Sequence, residues 1–553
     1  MTRYALCDNA AAWRVTLRQP GLLLNPMSYD ALILGGGHNG LVCACYLARA
    51  GLKVRVLERR TVLGGAAVTE EFAPGFRNST ASYTVSLLHP KVIRDLKLVE
   101  HGLRIVERPF SNFLPLGDEP GQCIRIGGGL AATQAELARY SKRDAERLPD
   151  YYALLERVAN VLRAMLLQTP PNVGGGIGAL LEAWKTAKVF KDLDLATQRD
   201  VLDLFSLSAG DLLDRWFESA ALKACFGFDS IVGNFASPYA PGSAYVLLHH
   251  VFGEVNGKSG VWGHALGGMG AITQAIAAEA RALGVTLSTD SAVSRVRPLG
   301  KLIEVQLENG EVLTASRVVS NLNPKLLFTR LLDAAERDAE TTQRFNDYQC
   351  ESATLRMNVA LSELPDFTCA TGTQLQPHHQ SGIIMAPSLA YMECAYTEAR
   401  EQGWTKQPIV EMLIPSTVDG SLAPRGQHVA SLFCQHFRYA LPNGRSWDDE
   451  REAAADAVVE VMNRAAPNFK ASIIARQIHT PLDLERKFGL VGGDIFHGKL
   501  SLNQLFSARP LLGMSDYRTP IKGLYLCGSA THPGGGVTGI PGHNAAREIL
   551  RDR

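Results

Sequence analysis

The sequence predicts an α/β fold in which a Rossmann-like nucleotide-binding domain carries an inserted α+β domain. Three observations lead there. A strand, a glycine turn, a helix and a second strand follow one another from Asp30 to Leu57. A helical stretch, Ala271 to Leu283, runs into several short strands ending near Val319. A last strand, Gly523 to Cys527, enters a glycine-rich loop and a closing helix. With 553 residues, 46% of them apolar and 20% charged, the chain is long enough for two or three domains around at least one large core.

The opening unit is the most informative. Asp30 to Leu34 (DALIL) is a short apolar run that leads at once into Gly35-Gly36-Gly37-His38-Asn39-Gly40. Leu41 to Ala50 reads as a helix, and Gly51 stands where a left-handed C-cap belongs. Lys53 to Leu57 alternates as a second strand that Glu58 closes. Gly35 permits the tight turn, Gly37 a close approach of backbone to a pyrophosphate, and Gly40 close packing of helix on strand. The helix N-terminus offers free N–H groups and partial positive charge to phosphates. Glu58 at the strand tip suits the two hydroxyls of a ribose and repels a 2′-phosphate. Together these features predict a dinucleotide site.

Distant segments supply matching pieces. Gly267-Gly268-Met269-Gly270 precede the helix from Ala271, and Gly284 ends it. Strands are expected over Val285 to Ser288, Val293 to Arg297 and Ala315 to Val319, with a hairpin turning at Asn309-Gly310. Near the end, Gly528-Ser529 and Gly534-Gly535-Gly536-Val537 lead into a helix that begins around Pro541 and carries Asn544 to Leu550.

Composition sets limits. Lys and Arg number 56 against 55 Asp and Glu, so no bulk field favours nucleic acid or anionic lipid. No uninterrupted apolar run of about 18 residues is present, which argues against a membrane-spanning helix. The ten cysteines have no regular spacing and no strong secretory signal precedes them, so buried reduced thiols are expected. Residues 1–28 read as a disordered leader; Arg3, Arg14 and Arg18 against Asp8 also admit a transit-like segment, and "MSYD" at Met27 a later start. His249-His250 and His378-His379 lack companion ligands at metal spacing, so no metal is expected.

The stretches GGGHNGLV, ERRTVLGGAAVTEEFAPGFRNSTASY, WFES, GSAYVLLHH, GGMGA, IFHGKLSLNQLFSARP and GLYLCGSATHPGGGVTGIPGHNAA together resemble the phytoene-desaturase-like flavoproteins. That group lies in the amine-oxidase branch of the glutathione-reductase superfamily, and the resemblance runs from Tyr29 to the C-terminus. It implies an FAD-binding domain built from 29–108, 261–323 and 490–553, with 109–260 and 324–489 forming a substrate cap. On the same basis Gly64-Gly65-Ala66 and Arg59 join Gly35, Gly37, His38, Asn39, Gly40 and Glu58 at the cofactor, and Val293 presents backbone to the adenine. Gly528, Ser529, Gly536 and Val537 approach the flavin ring. The dithiol some members of the superfamily carry is a pair five positions apart; Cys43 and Cys45 are two apart on a helix and read as core residues.

The resemblance implies an oxidoreductase moving hydride from an apolar or amphipathic small molecule to FAD, with oxygen, a quinone or another carrier taking the electrons. A carotenoid-type desaturase or ketolase is the narrower alternative, and a flavin-bound regulatory protein with vestigial catalysis the alternative of another class. No catalytic residue can be read directly; Tyr83, Trp262 and His532 adjoin the flavin segments and are the pocket candidates. Val161 to Phe190, apolar and broken by Pro170-Pro171, reads as a helix pair packed on the core, or as an amphipathic surface for peripheral membrane contact. A protein partner or homo-oligomer remains open. The expected location is the cytoplasm of a bacterium, or the mitochondrial matrix or inner-membrane face of a eukaryote, not outside the cell.

Overall fold

The structure, a computed structural model, describes residues 29–173 and 176–553. The expectations for residues 1–28 lie outside the described residues. Two sheets dominate, and each arises from a different sequence pattern.

The first sheet is built around parallel strands that are apolar on both faces, as strands covered by helices on both sides must be. Tyr29–Leu34 pairs with Val54–Leu57 on one side and with Val312–Ser320 on the other, both parallel. Thr286–Ser288 extends the sheet beyond Val54–Leu57, and Leu524–Leu526 adds beside residues 318–320. The first half of Val312–Ser320 leaves this parallel core to form an antiparallel hairpin with Leu302–Leu307, which pairs in turn with Val293–Leu299. The expected turn at Asn309-Gly310 is there, with Gly310 at φ +89°. Helices His38–Arg49, Gly270–Ala282 and Ile540–Arg551 cover the sheet, their buried faces meeting in one core with Ile33, Val56 and Val319. Cys43 and Cys45 are fully buried there, as read from the sequence, with the Cys45 thiol directed at the Ile276 carbonyl.

The second sheet is mostly antiparallel, in the order Ile473–His479, Thr354–Leu361, His428–Phe437, Trp404–Leu413, Gly382–Met385, Phe110–Pro115, Cys123–Gly127. In Thr354–Leu361 (TLRMNVAL) every residue is buried, yet polar and apolar side chains alternate. Leu355, Met357, Val359 and Leu361 pack into the core under helix Trp447–Ala465. Thr354, Arg356 and Asn358 share the opposite face. That face meets the first domain: Asn358 Oδ1 accepts from Asn78 Nδ2 at 2.9 Å, and Asn358 Nδ2 donates to the Ser79 carbonyl. A buried polar face survives only because it is bonded in this way.

A helical layer covers one end. Lys142–Leu166 buries Leu155, Val158 and Leu162 in a third core. The expectation of two packed helices over 161–190 holds for its first member alone. In Gly176–Lys191, Leu180, Leu181 and Trp184 are 71%, 57% and 64% exposed. Among the described residues no helix is long and apolar enough to cross a membrane.

The helices that open and close the chain cross with no room for a side chain. A Cβ at Gly542 would sit 2.2 Å from the Asn39 carbonyl oxygen. Gly542→Ala is therefore expected to destabilise the fold by about 1–3 kcal/mol through overpacking. Gly420→Ala, where nothing lies within 4 Å, stays within about 0.5 kcal/mol of the parent in the same urea titration.

Candidate active site

The glycine turn is held shut by backbone and by one carboxylate. Glu58, 6% exposed, accepts from the N–H of Gly36 at 2.8 Å and from the N–H of Arg60 at 2.9 Å. Gly64 N–H donates to the Gly36 carbonyl at 2.9 Å, and Gly37 and Gly64 form a parallel bridge. A Cβ on Gly40 would fall 2.4 Å from the Gly35 carbonyl oxygen, and one on Gly65 would reach 3.1 Å from Gly37 Cα. Side chains are excluded here, leaving a cradle of bare backbone at the start of helix His38–Arg49.

The C-terminal loop comes to the same place. Asn39 Nδ2 donates to Ser529 Oγ at 3.1 Å across 490 residues of sequence. Gly528 packs on Asn321, where a Cβ would meet the Asn321 carbonyl at 2.7 Å, and Gly536 packs on Leu87. Val537 holds φ +59°, a sparsely populated conformation for a β-branched residue. A cavity opens between these turns and the second sheet; His38, Ala66, Ser529, Gly536 and Val537 line it together with Tyr83 and Trp262. Buried polar atoms at the turns have no protein partner: His38 Nε2, Asn39 Oδ1 and His497 Nδ1. Burial holds the imidazoles of His38 and His497 neutral, at about 3 and about 4.

The remaining predicted residues fall around this frame unevenly. Val293 starts a strand just beyond Ser291, whose N–H is bonded to the Glu58 carbonyl. Arg59 directs its guanidinium away, donating to the carbonyls of Arg486 and Lys487. His532 is not beside Tyr83 and Trp262; its Nε2 lies 3.2 Å from the Met165 carbonyl, and it lines a separate cavity with Phe190 and Phe506.

Sequence reasoning missed the charged roof. Arg356, Phe433 and Glu411 stand in register on three adjacent strands and therefore share a face. Tyr83 stacks on Phe433 at 5.0 Å and donates a hydrogen bond to Glu411 Oε2. The Arg356 guanidinium lies 4.6 Å from the Tyr83 ring centroid and donates to the Leu432 carbonyl and to Ser431 Oγ. Arg108 lies over Trp262, whose carbonyl its backbone N–H bonds. Asp229, between two helices of the cap, completes the group. Burial, then the neighbouring Glu411 charge, raises its carboxyl to about 8. The polar positions alternating inside fully buried strands were the available signal, but their alignment needs the register. Among the described residues no group of His, Cys, Asp or Glu is placed to hold a metal ion.

The model of the family described as flavin containing amine oxidoreductase matches residues 40–347. Pyridine nucleotide-disulfide oxidoreductase domain-containing protein 2 of Rattus norvegicus is 39% identical, covering 98% of this chain and 96% of that one. A limonene dehydrogenase polypeptide of Castellaniella defragrans is 26% identical over 95% of this chain and 94% of its own. Among solved structures, a putrescine oxidase variant redesigned in cofactor binding superposes with a TM-score of 0.60 at 15% identity, covering 95% of this chain and 99% of that one, a likeness of fold.

Asp229 gives a pH test. Its carboxyl is protonated in the fold up to about pH 8 but ionises near 3.8 when unfolded, so its contribution to stability falls as pH rises between those values. Asp229→Asn lacks that penalty. Its melting temperature is expected to gain on the parent's as pH is raised from about 5 to about 8, read by thermal unfolding; a pH-independent difference contradicts the assignment.

Proposed function

Because the chain belongs to the flavin-containing amine oxidoreductase family, we propose that it is an FAD-dependent oxidoreductase that takes hydride from an amphipathic small molecule. The observation that carries this reading is the single cavity that runs from the bare-backbone turns to a roof of aromatic and charged side chains. The residues fit FAD. The N–H groups at the start of helix His38–Arg49 suit its pyrophosphate, and Glu58 its ribose. The Val293 backbone faces adenine, while Arg59 offers backbone alone, its side chain being engaged elsewhere. Gly64, Gly65 and Ala66 flank the pyrophosphate, and Gly528, Ser529, Gly536 and Val537 the ring. The unpartnered atoms of His38, Asn39 and His497 gain partners there.

When bound, the flavin supplies the hydride acceptor, and oxygen, a quinone or another carrier drains it. The chain's own part is positioning. Tyr83, packed against both Phe433 and the Arg356 guanidinium and bonded to Glu411, forms a rigid wall for the reacting carbon. Burial drives its phenol well above the ordinary range, so it stays a hydrogen-bond donor rather than a base. The first N–H groups of helix Ile540–Arg551 favour negative charge on the reduced ring. A roof holding Arg108, Glu411 and Asp229 favours an amphipathic substrate over a wholly hydrocarbon one such as a carotene. Leu180, Leu181 and Trp184, exposed on a helix that also carries Lys188 and Lys191, support peripheral contact with a lipid surface.

The experiment is reconstitution followed by anaerobic mixing with candidate metabolites, with bleaching of the flavin absorbance as readout. FAD is expected to bind more tightly than FMN, which lacks the adenosine that Glu58 and Val293 address. Glu58→Gln should weaken FAD by about tenfold and leave FMN unchanged. Failure to take up flavin, or equal affinity for FMN, contradicts the reading.

A further inference from the structure

Three guanidinium groups lie in or near the cavity; two are fully buried and the third, Arg108, is half-buried. Arg509 donates to four carbonyls, those of Gly498, Gln504, Phe496 and Ser529, and is fully buried. Arg356 ends on a carbonyl and a hydroxyl and is sandwiched against two rings. Those two are structural clamps. Arg108 lines the cavity, donates only to Thr84 Oγ1 and rests 5.5 Å from the centroid of Trp262.

Among the described residues no carboxylate forms an ion pair with Arg108. Its neighbour Glu107 is taken by Lys258, and Glu411 is held by the Tyr83 hydroxyl. A guanidinium carries five N–H donors, and among the described residues Arg108 has only the Thr84 hydroxyl as a side-chain acceptor, so most of its donors have no protein partner. Glu411 and Asp229 share the cavity lining with Arg108, and burial raises the Asp229 carboxyl to about 8, which weakens it as a counter-charge near neutral pH. The same cavity is lined by Phe228, Val232, Phe433 and Phe496, an apolar surface among polar side chains such as Asn112 and His250.

We propose that Arg108 is a substrate-binding residue that receives the carboxylate of an amphipathic acid whose apolar chain lies along Phe228, Val232 and Phe496. This rests on the reading of the cavity as the substrate site beside the flavin. The planar guanidinium fork, pre-oriented by Trp262 and Thr84, matches two carboxylate oxygens, which a lysine at the same place would not. The group fixes which end of the substrate enters first and so which carbon lies under Tyr83.

The test uses three probes of equal chain length: octanoate, octylammonium and 1-octanol. Each is titrated into the flavin-loaded full chain by calorimetry, with the flavin absorption spectrum followed in parallel. Octanoate should bind at least about tenfold more tightly than either competitor and perturb the flavin spectrum. Arg108→Met should abolish that preference while retaining flavin, and Arg108→Lys should restore only part of it. Equal binding of the three probes, tighter binding of octylammonium, or a preference that survives in Arg108→Met overturns the proposal. Calorimetry reads octanoate with or without flavin. Loss of flavin uptake therefore refutes the functional reading, and indifference to the carboxylate refutes this one. If Arg108→Met does not fold, Arg108→Lys and the three-probe comparison on the parent protein still decide.

Discussion

The site depends on bringing the two ends of the chain together, and the contact that does this is small. Asn39 and Ser529 share one hydrogen bond beside the place where Gly542 lets the last helix touch the first. A net hydrogen bond contributes only about 1 kcal/mol. Its importance is positional, because the Asn39 amide is buried and any displacement leaves it unpaired. The crossing is fixed by the absence of a side chain at Gly542 and by the apolar packing behind it, where Val42, Ala545, Ala546 and Ile549 are fully buried. With that crossing set, the opening turn and the closing loop face one cavity.

The second constraint is the polar underside of the cap sheet. Strands that hide one apolar face against a helix and a polar face against the rest of the chain must find hydrogen-bond partners on the second face. Asn358 does so by bonding to Asn78 and Ser79, next to the segment that leads to Tyr83. The second sheet is thereby registered on the segment at Asn78 and Ser79 by hydrogen bonds as well as by packing. Charge concentrates where that sheet passes over the cavity, because Arg356 and Glu411 occupy matching positions on strands separated by the one bearing Phe433.

Much of the first domain was legible in the sequence because its signals are local. The apolar run DALIL, the glycines after it and Glu58 at the next strand's tip are one continuous text, and Gly310 marks its hairpin just as directly. The roof was not legible, for the opposite reason. Arg108, Asp229, Arg356 and Glu411 are scattered over some 300 residues and meet only through strand register and domain docking. His532 shows the converse hazard. Its position in a glycine-rich loop points to the cavity beside Tyr83, yet its side chain turns to Met165. The outward face of helix Gly176–Lys191 is a further case, since apolar content alone does not say which residues a neighbour covers.

A crystal structure of the protein grown with FAD tests the central claim most directly. Density should run continuously from Glu58, with adenosine ribose on its carboxylate, past Gly37 to an isoalloxazine beneath Tyr83 and Trp262. An isoalloxazine seated elsewhere, or a nicotinamide beneath Tyr83 in its stead, would contradict the account.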